Sequence, residues 1–150
     1  YLETGIYTPK PSKQTISNAM DVGDPSNFIR IQEIYNNDDE LLKKNLSSYS
    51  FTDKETKKAM RKIKKISGGY VADPHGAVGY LGLKKYLKNK RAQGIFLETA
   101  HPVKFLDVVE PVLNETIEYP QQILDVIDKE KVSTKISTYN ELKSYLLNSK

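Results

Sequence analysis

Hydrophobic positions fall into two kinds of segment along the chain. Two short apolar stretches, around Tyr70–Val71 and Ile95–Leu97, are each followed by a segment in which apolar residues return at helical spacing. Strands that alternate with helices of about 10–15 residues are typical of α/β units on a parallel sheet. Since only two or three strands are visible, the pattern predicts an α/β fold with a partial parallel sheet flanked by helices.

Seven helices are predicted around these strands, and residues 1–16, with Pro9 and Pro11, form an arm or loop. The predicted helices lie in residues 26–37, 38–46, 53–66, 74–88, 102–113, 119–131 and 137–149. The helix after Pro74 carries Gly76, Gly79 and Gly82, although each glycine costs about 1 kcal/mol relative to alanine inside a helix. The glycines indicate close approach of another element or of a ligand to this helix face.

The composition is that of an ordinary soluble domain, with 38% hydrophobic and 28% charged residues in 150 positions. No run reaches the roughly 18 apolar residues of a membrane span, and no secretory signal opens the chain. The absence of cysteine excludes a disulfide framework and favours a reducing cytoplasm. Because the sequence begins at Tyr1 rather than Met, we expect a piece of a longer protein.

The net charge of +4 comes largely from residues 53–65, where lysines surround an apolar stripe. No aromatic residue lies between these lysines, as a stacking surface for single-stranded nucleic acid would need. We therefore interpret this segment as a solvated helix face, with nucleic-acid binding as the alternative.

Polar clusters follow both predicted strands: Asp73-Pro74-His75 after the first and Glu98 to Pro102, with Thr99 and His101, after the second. Ligands of open parallel sheets lie beyond the carboxyl ends of the strands, so one hypothesis is a pocket lined by hydroxyl, carboxylate and imidazole groups. The alternative is that Thr99 and Asp73 cap helices and that the histidines are satisfied buried groups. The residues alone leave both open, and neither histidine has enough neighbours for a metal site.

Three segments together resemble the carboxyl-terminal part of threonine synthases, most densely over residues 5–118. They read "PSKQTISNAMDVGDPSNFIRI", "GGYVADPHGAVGYLGLKKYL" and "GIFLETAHPVKFLDVVE". The resemblance implies part of the large domain of a fold type II enzyme that depends on pyridoxal 5'-phosphate. It also implies conversion of the small molecule O-phospho-L-homoserine, with water, into L-threonine and phosphate.

The same resemblance assigns candidate site residues. Thr99 matches the hydroxyl that faces the pyridine nitrogen of the cofactor, and His101 would lie beside it. Motif positions near the active site, without individual roles, are matched by Ser17, Asn18, Asp21, Asp73 and His75.

The Schiff-base lysine and the phosphate-binding loop of the family lie upstream of this segment. We therefore expect residues 1–150 to be a carboxyl-terminal fragment of the cofactor-binding domain, inactive alone and cytoplasmic, with neither nucleic acid nor a membrane as partner. The oligomeric state stays open. A non-catalytic α/β binding module is the alternative, and a basic RNA-binding piece is a more distant one.

Overall fold

The computed structural model of the chain describes residues 1–149, which divide into two units, residues 1–118 and residues 119–149. The first unit holds five α-helices and two short 3-10 turns, Asn18–Met20 and Pro102–Phe105. Its helices are α1 (Phe28–Ile34), α2 (Asp39–Asn45), α3 (Asp53–Ile66), α4 (Pro74–Leu87) and α5 (Leu106–Leu113). The second unit holds α6 (Gln121–Leu124) and α7 (Tyr139–Asn148). Among the residues described, no helix is long and apolar enough to cross a bilayer.

The core of the first unit forms where α3 packs against α4 and α5. The apolar stripe of α3 supplies Ala59, Met60 and Ile63, and Val109 of α5 is fully buried against them. The sequence pattern predicted these three residues as part of the apolar stripe, whereas Ile66, which the same pattern placed on the stripe, is 61% exposed. Burial of each large apolar side chain stabilises the unit by about 1.5–3 kcal/mol, so this packing holds α4 and the segments that flank it in place.

Most helix starts lie where the polar pattern predicted them. At α3, the Thr52 hydroxyl accepts the backbone N–H of Glu55 at 3.3 Å, and the Glu55 carboxylate accepts the Thr52 N–H at 2.8 Å. The same capping box, between Thr138 and Glu141, begins α7. Each reciprocal pair satisfies N–H groups that a helix start otherwise leaves free.

The two predicted strands are not paired within residues 1–149, where no β-strand is assigned. A strand requires backbone hydrogen bonds to a neighbour, and residues 70–73 and 95–99 have no such ladder in the part of the chain described. The second of these segments instead runs beside α4, with Phe96 and the Leu97 carbonyl at 3.8–3.9 Å from the position a Cβ would take on Gly79. The predicted close approach is confirmed at Gly76, where an added Cβ would overlap the Glu98 carboxyl group, whereas at Gly79 and Gly82 a Cβ would make only ordinary contacts. The parallel sheet is not observed within residues 1–149.

Three predicted helices are shorter or divided. The helix expected over residues 26–37 is limited to Phe28–Ile34. The helix expected over residues 102–113 is interrupted at Phe105, whose backbone is not helical, so that a 3-10 turn precedes α5. The helix expected over 119–131 is reduced to Gln121–Leu124. Because residues 121–135 are all exposed, no packing stabilises further helical turns there.

Candidate functional site

The start of the first predicted strand and the end of the second line one open cleft of about 530 Å³. Residues from the start of the first segment and the end of the second line it, together with the turn that leads to α5. They are Tyr70, Val71, Glu98, Thr99, Ala100, His101, Pro102 and Ile117. Asp73 and His75 are not among the described residues that line this cleft. The Glu98 carboxyl group nevertheless lies against Gly76 in the first turn of α4, so the two polar clusters are neighbours in the structure.

Asp73 lies at the N-terminus of α4 and is fully buried. Its carboxylate accepts the backbone N–H of Gly76 at 2.9 Å and contacts Nδ1 of His75 at 2.6 Å. The first bond is a helix N-cap, so the capping alternative is confirmed for Asp73.

His75 is held on one side only. Its side chain is 10% exposed, and its ring lies 4.7 Å from the ring of Phe105, centroid to centroid. Nδ1 pairs with Asp73, but Nε2 is buried and has no hydrogen-bond partner in the protein. Burial was one sequence-based interpretation of this histidine, but its hydrogen bonding is only half satisfied.

The capping alternative is wrong for Thr99, because His101 is the residue that caps the following turn. The 3-10 turn at Pro102 is capped by His101, whose Nδ1 accepts the N–H of Val103 at 3.3 Å. His101 is exposed, so the alternative of a buried, satisfied histidine is wrong for this residue. Thr99 is exposed and lines the cleft.

Glu98 is the residue that sequence reasoning did not select. Its carboxyl group lies against the backbone of Gly76, where any added Cβ would overlap it, and Oε1 is buried without a hydrogen-bond partner. Burial, and then repulsion by the Asp73 carboxylate, raises the pKa of Glu98 to about 7. The glycine in the first turn of α4 was the one signal in the sequence that pointed to this contact.

The predicted residues Ser17, Asn18 and Asp21 belong to a different place in the first unit. Asp21 accepts the N–H and the hydroxyl of Thr15, at 2.6 and 2.7 Å. Ser17 Oγ lies 3.0 Å from the Thr15 hydroxyl, and Asn18 is exposed. These bonds fold a loop that is fixed to the start of α3, where Asp53 accepts the N–H of Ile16 at 3.3 Å. In the part of the chain described, this loop does not line the cleft.

The chemistry of the cleft is that of a site for a small polar molecule. It offers a free hydroxyl, an imidazole and a carboxyl group of raised pKa within one concave surface. Across residues 1–149, no three histidine, cysteine or acidic side chains are grouped as a metal site would require. The polar groups and the apolar lining of the cleft offer a ligand hydrogen bonds and apolar contact.

Comparison with known proteins agrees with this geometry. The family described as "Threonine synthase, C-terminal" matches residues 76–146. Threonine synthase of Buchnera aphidicola from Acyrthosiphon pisum is 38% identical over 148 residues, which cover 98% of this chain and 34% of that protein. The crystal structure of threonine synthase from Escherichia coli superimposes with a TM-score of 0.76 and 34% identity, over 99% of this chain and 34% of that one.

A second solved structure shares the fold: threonine synthase from Brucella melitensis, described as PLP bound, has a TM-score of 0.63 and 24% identity. It matches 97% of this chain and 36% of its own length. The chain thus spans about a third of the length of the relatives it matches. It belongs to the threonine synthase family, of which it represents the carboxyl-terminal part.

Proposed function

We propose that this chain forms one wall of a pyridoxal 5'-phosphate site in a longer threonine synthase. That enzyme would convert O-phospho-L-homoserine and water into L-threonine and phosphate. The observation that carries the proposal is the position of Thr99, which is exposed and lines the cleft, while His101 caps the following turn. A threonine at this point is what the family resemblance requires of the cofactor site.

The residues of the cleft fit a small aromatic cofactor. The lining combines the Thr99 hydroxyl with apolar surface from Val71 and Ala100, and the volume of about 530 Å³ is ample for one ring and its substituents. Glu98 Oε1, on the same side, is buried and has no partner in the protein. When bound, pyridoxal phosphate supplies the electron sink for the reaction.

The role of Thr99 in this proposal is to hydrogen-bond the ring nitrogen of the cofactor. A neutral hydroxyl leaves that nitrogen largely unprotonated, whereas a carboxylate would stabilise the protonated form. His101, beside it, shapes the rim of the cleft with its exposed imidazole. The loop with Ser17, Asn18 and Asp21 does not line the cleft among the described residues. In this proposal its residues contact other parts of the complete site.

The sheet belongs to the same proposal. In the longer protein, residues 70–73 and 95–99 become strands whose neighbours are supplied by the two thirds of the family's length that this chain does not span. Ile95 and Leu97 are 89% and 74% exposed, although both are large and apolar. Phe96, between them, contacts α4 through Tyr80, with ring centroids 5.8 Å apart. An apolar segment with one face packed and the other open is what an unpaired inner strand would show.

The test uses the complete polypeptide encoded by the gene, purified with and without pyridoxal phosphate. We expect a visible absorption band from the bound cofactor and release of inorganic phosphate from O-phospho-L-homoserine, with L-threonine formed in equal amount. Uptake of cofactor without phosphate release would favour the non-catalytic binding module. Neither uptake nor release would overturn the proposal.

A further inference from the structure

A second feature of this region is a polar cluster directly behind the cleft. The Asp73, His75 and Glu98 side chains meet at the first turn of α4, with Asp73 fully buried and His75 90% buried. Burial, and then the nearby Glu98 and Asp73 carboxyl groups, raise the pKa of Tyr70 in the preceding segment. Among the described residues, neither Asp73 nor Glu98 makes an ion pair with lysine or arginine.

Within the protein, the carboxyl oxygens of this cluster have more acceptor positions than donors. The two oxygens of Asp73 offer about four acceptor positions, and the Gly76 N–H and the His75 ring take two of them. Glu98 Oε1 is buried without a donor. Two ionised carboxylates in contact repel one another, whereas a protonated one can donate to an oxygen of its neighbour.

We propose that Glu98 is a positioning residue that keeps a proton and donates it in a hydrogen bond to Asp73, and that this bond holds the adjacent Thr99 at the edge of the cleft. The part that concerns Thr99 rests on the function proposed above. Hydrogen bonds between a carboxylic acid and a carboxylate are short and strong. This bond connects residues 96–99 to the capped start of α4, a connection that backbone pairing does not provide within residues 1–149.

The pH dependence of the bond follows from the folded-state pKa of Glu98, about 7, which lies above the ordinary value of 4.5. A carboxyl group whose pKa is raised by folding stabilises the folded state fully below its ordinary pKa. That contribution is lost as the pH rises through 7, when Glu98 ionises beside Asp73. The position of Thr99 should therefore loosen between pH 6 and 8.

The first experiment detects the proton directly, in the complete polypeptide without cofactor or substrate. Infrared spectroscopy follows the protonated-carboxyl C=O band between pH 5 and 9 in the wild type, in Glu98→Gln and in the control Glu118→Gln, which changes an exposed carboxylate. We expect a band that disappears with a midpoint near pH 7 in the wild type and the control and is missing in Glu98→Gln. A wild type that shows no such band above pH 6 would overturn the proposal.

The second experiment measures kcat for phosphate release over the same pH range. One pH unit above its pKa, about a tenth of a carboxyl group stays protonated, so we expect kcat of the wild type to fall about tenfold between pH 6 and 8. In Glu98→Gln the amide donates permanently to Asp73, and the fall should shrink to less than twofold, while Glu98→Ala should be slower than Glu98→Gln throughout. An equal fall in wild type and Glu98→Gln would overturn the positioning role. If the band is detected but the enzyme releases no phosphate, the proton on Glu98 is supported and the proposed function is rejected.

Discussion

At the scale of single residues, Thr99 and His101, which follow the second predicted strand, serve different purposes. His101 caps the turn at Pro102 and is exposed, whereas Thr99 makes no cap and lies in the cleft. The motif that contains both residues therefore separates a structural group from a group available to a ligand. Substitution of each group should affect a different measurement.

Thr99→Val in the complete enzyme tests the group available to the ligand. Valine keeps the shape and removes the hydroxyl, so the ring nitrogen of the bound cofactor loses its partner. Leaving a buried group without its partner costs about 1–3 kcal/mol. Since 1.36 kcal/mol corresponds to a factor of ten in rate, we expect kcat to fall roughly 10- to 100-fold. Steady-state kinetics and cofactor titration measure this, with the exposed Thr116→Val as matched control. Turnover of Thr99→Val at the rate of the control would mean that the hydroxyl is not a cofactor contact.

Asp73→Asn separates the two causes that raise the pKa of Glu98. Asparagine is also a good N-cap, so α4 should keep its start, while the negative charge beside Glu98 is removed. Because burial is the larger cause and repulsion by Asp73 the second, we expect the pKa of Glu98 to fall from about 7 but to stay above 4.5. An infrared titration of the carboxyl band measures the shift. A pKa that does not fall at all would show that Asp73 contributes nothing to it.

At the scale of elements, α4 carries the contacts that bring the cleft together. Its first turn is capped by Asp73 and contacts Glu98, and its next turn passes Phe96. Both contacts are made at glycines, but only the contact at Gly76 requires the lack of a side chain. The two glycines differ in how much room they leave, and this difference can be measured.

Gly79→Ala and Gly76→Ala form a matched pair on this helix. At Gly79 a new Cβ meets Phe96 and Leu97 at 3.8–3.9 Å, an ordinary contact, so the variant should gain up to about 1 kcal/mol in free energy of unfolding from helix propensity. At Gly76 the Cβ would overlap the Glu98 carboxyl group, which has to move away from Asp73. We expect Gly76→Ala to be the less stable of the two and to lose the infrared band of Glu98. Denaturant unfolding ranks them, and equal stability with an intact band would contradict this account.

Local chemistry explains which elements the sequence predicted. The start of α3 at Thr52, the start of α4 at Asp73 and the core stripe around Met60 depend on neighbours within a few residues, and all three are confirmed. Glu98 was missed because its environment comes from Asp73 and Gly76, more than twenty positions away. The predicted sheet depends on backbone partners that residues 1–149 do not supply.

At the scale of the whole molecule, the first unit has a core but leaves one apolar surface uncovered. Its buried side chains come from α2 to α5 and their connections, between Leu42 and Val112. Ile95 and Leu97, on the outer side of the segment beside α4, are among its most exposed large apolar residues. Exposed apolar surface of this kind marks a place where another part of a protein packs, and in isolation it favours association between copies.

Replacement of both residues, Ile95→Lys with Leu97→Lys, should therefore have opposite effects in two settings. In the 150-residue chain alone, the lysines should reduce self-association, measured by light scattering at increasing concentration, because they replace exposed apolar surface with charge. In the complete polypeptide, the same double variant should lose at least about 3 kcal/mol in free energy of unfolding, since burial of each Ile or Leu contributes about 1.5–3 kcal/mol. Val132→Lys, at a position 94% exposed in the second unit, is the control and should change neither measurement. A double variant as stable as the control in the complete polypeptide would show that residues 95–97 stay on the surface and form no inner strand.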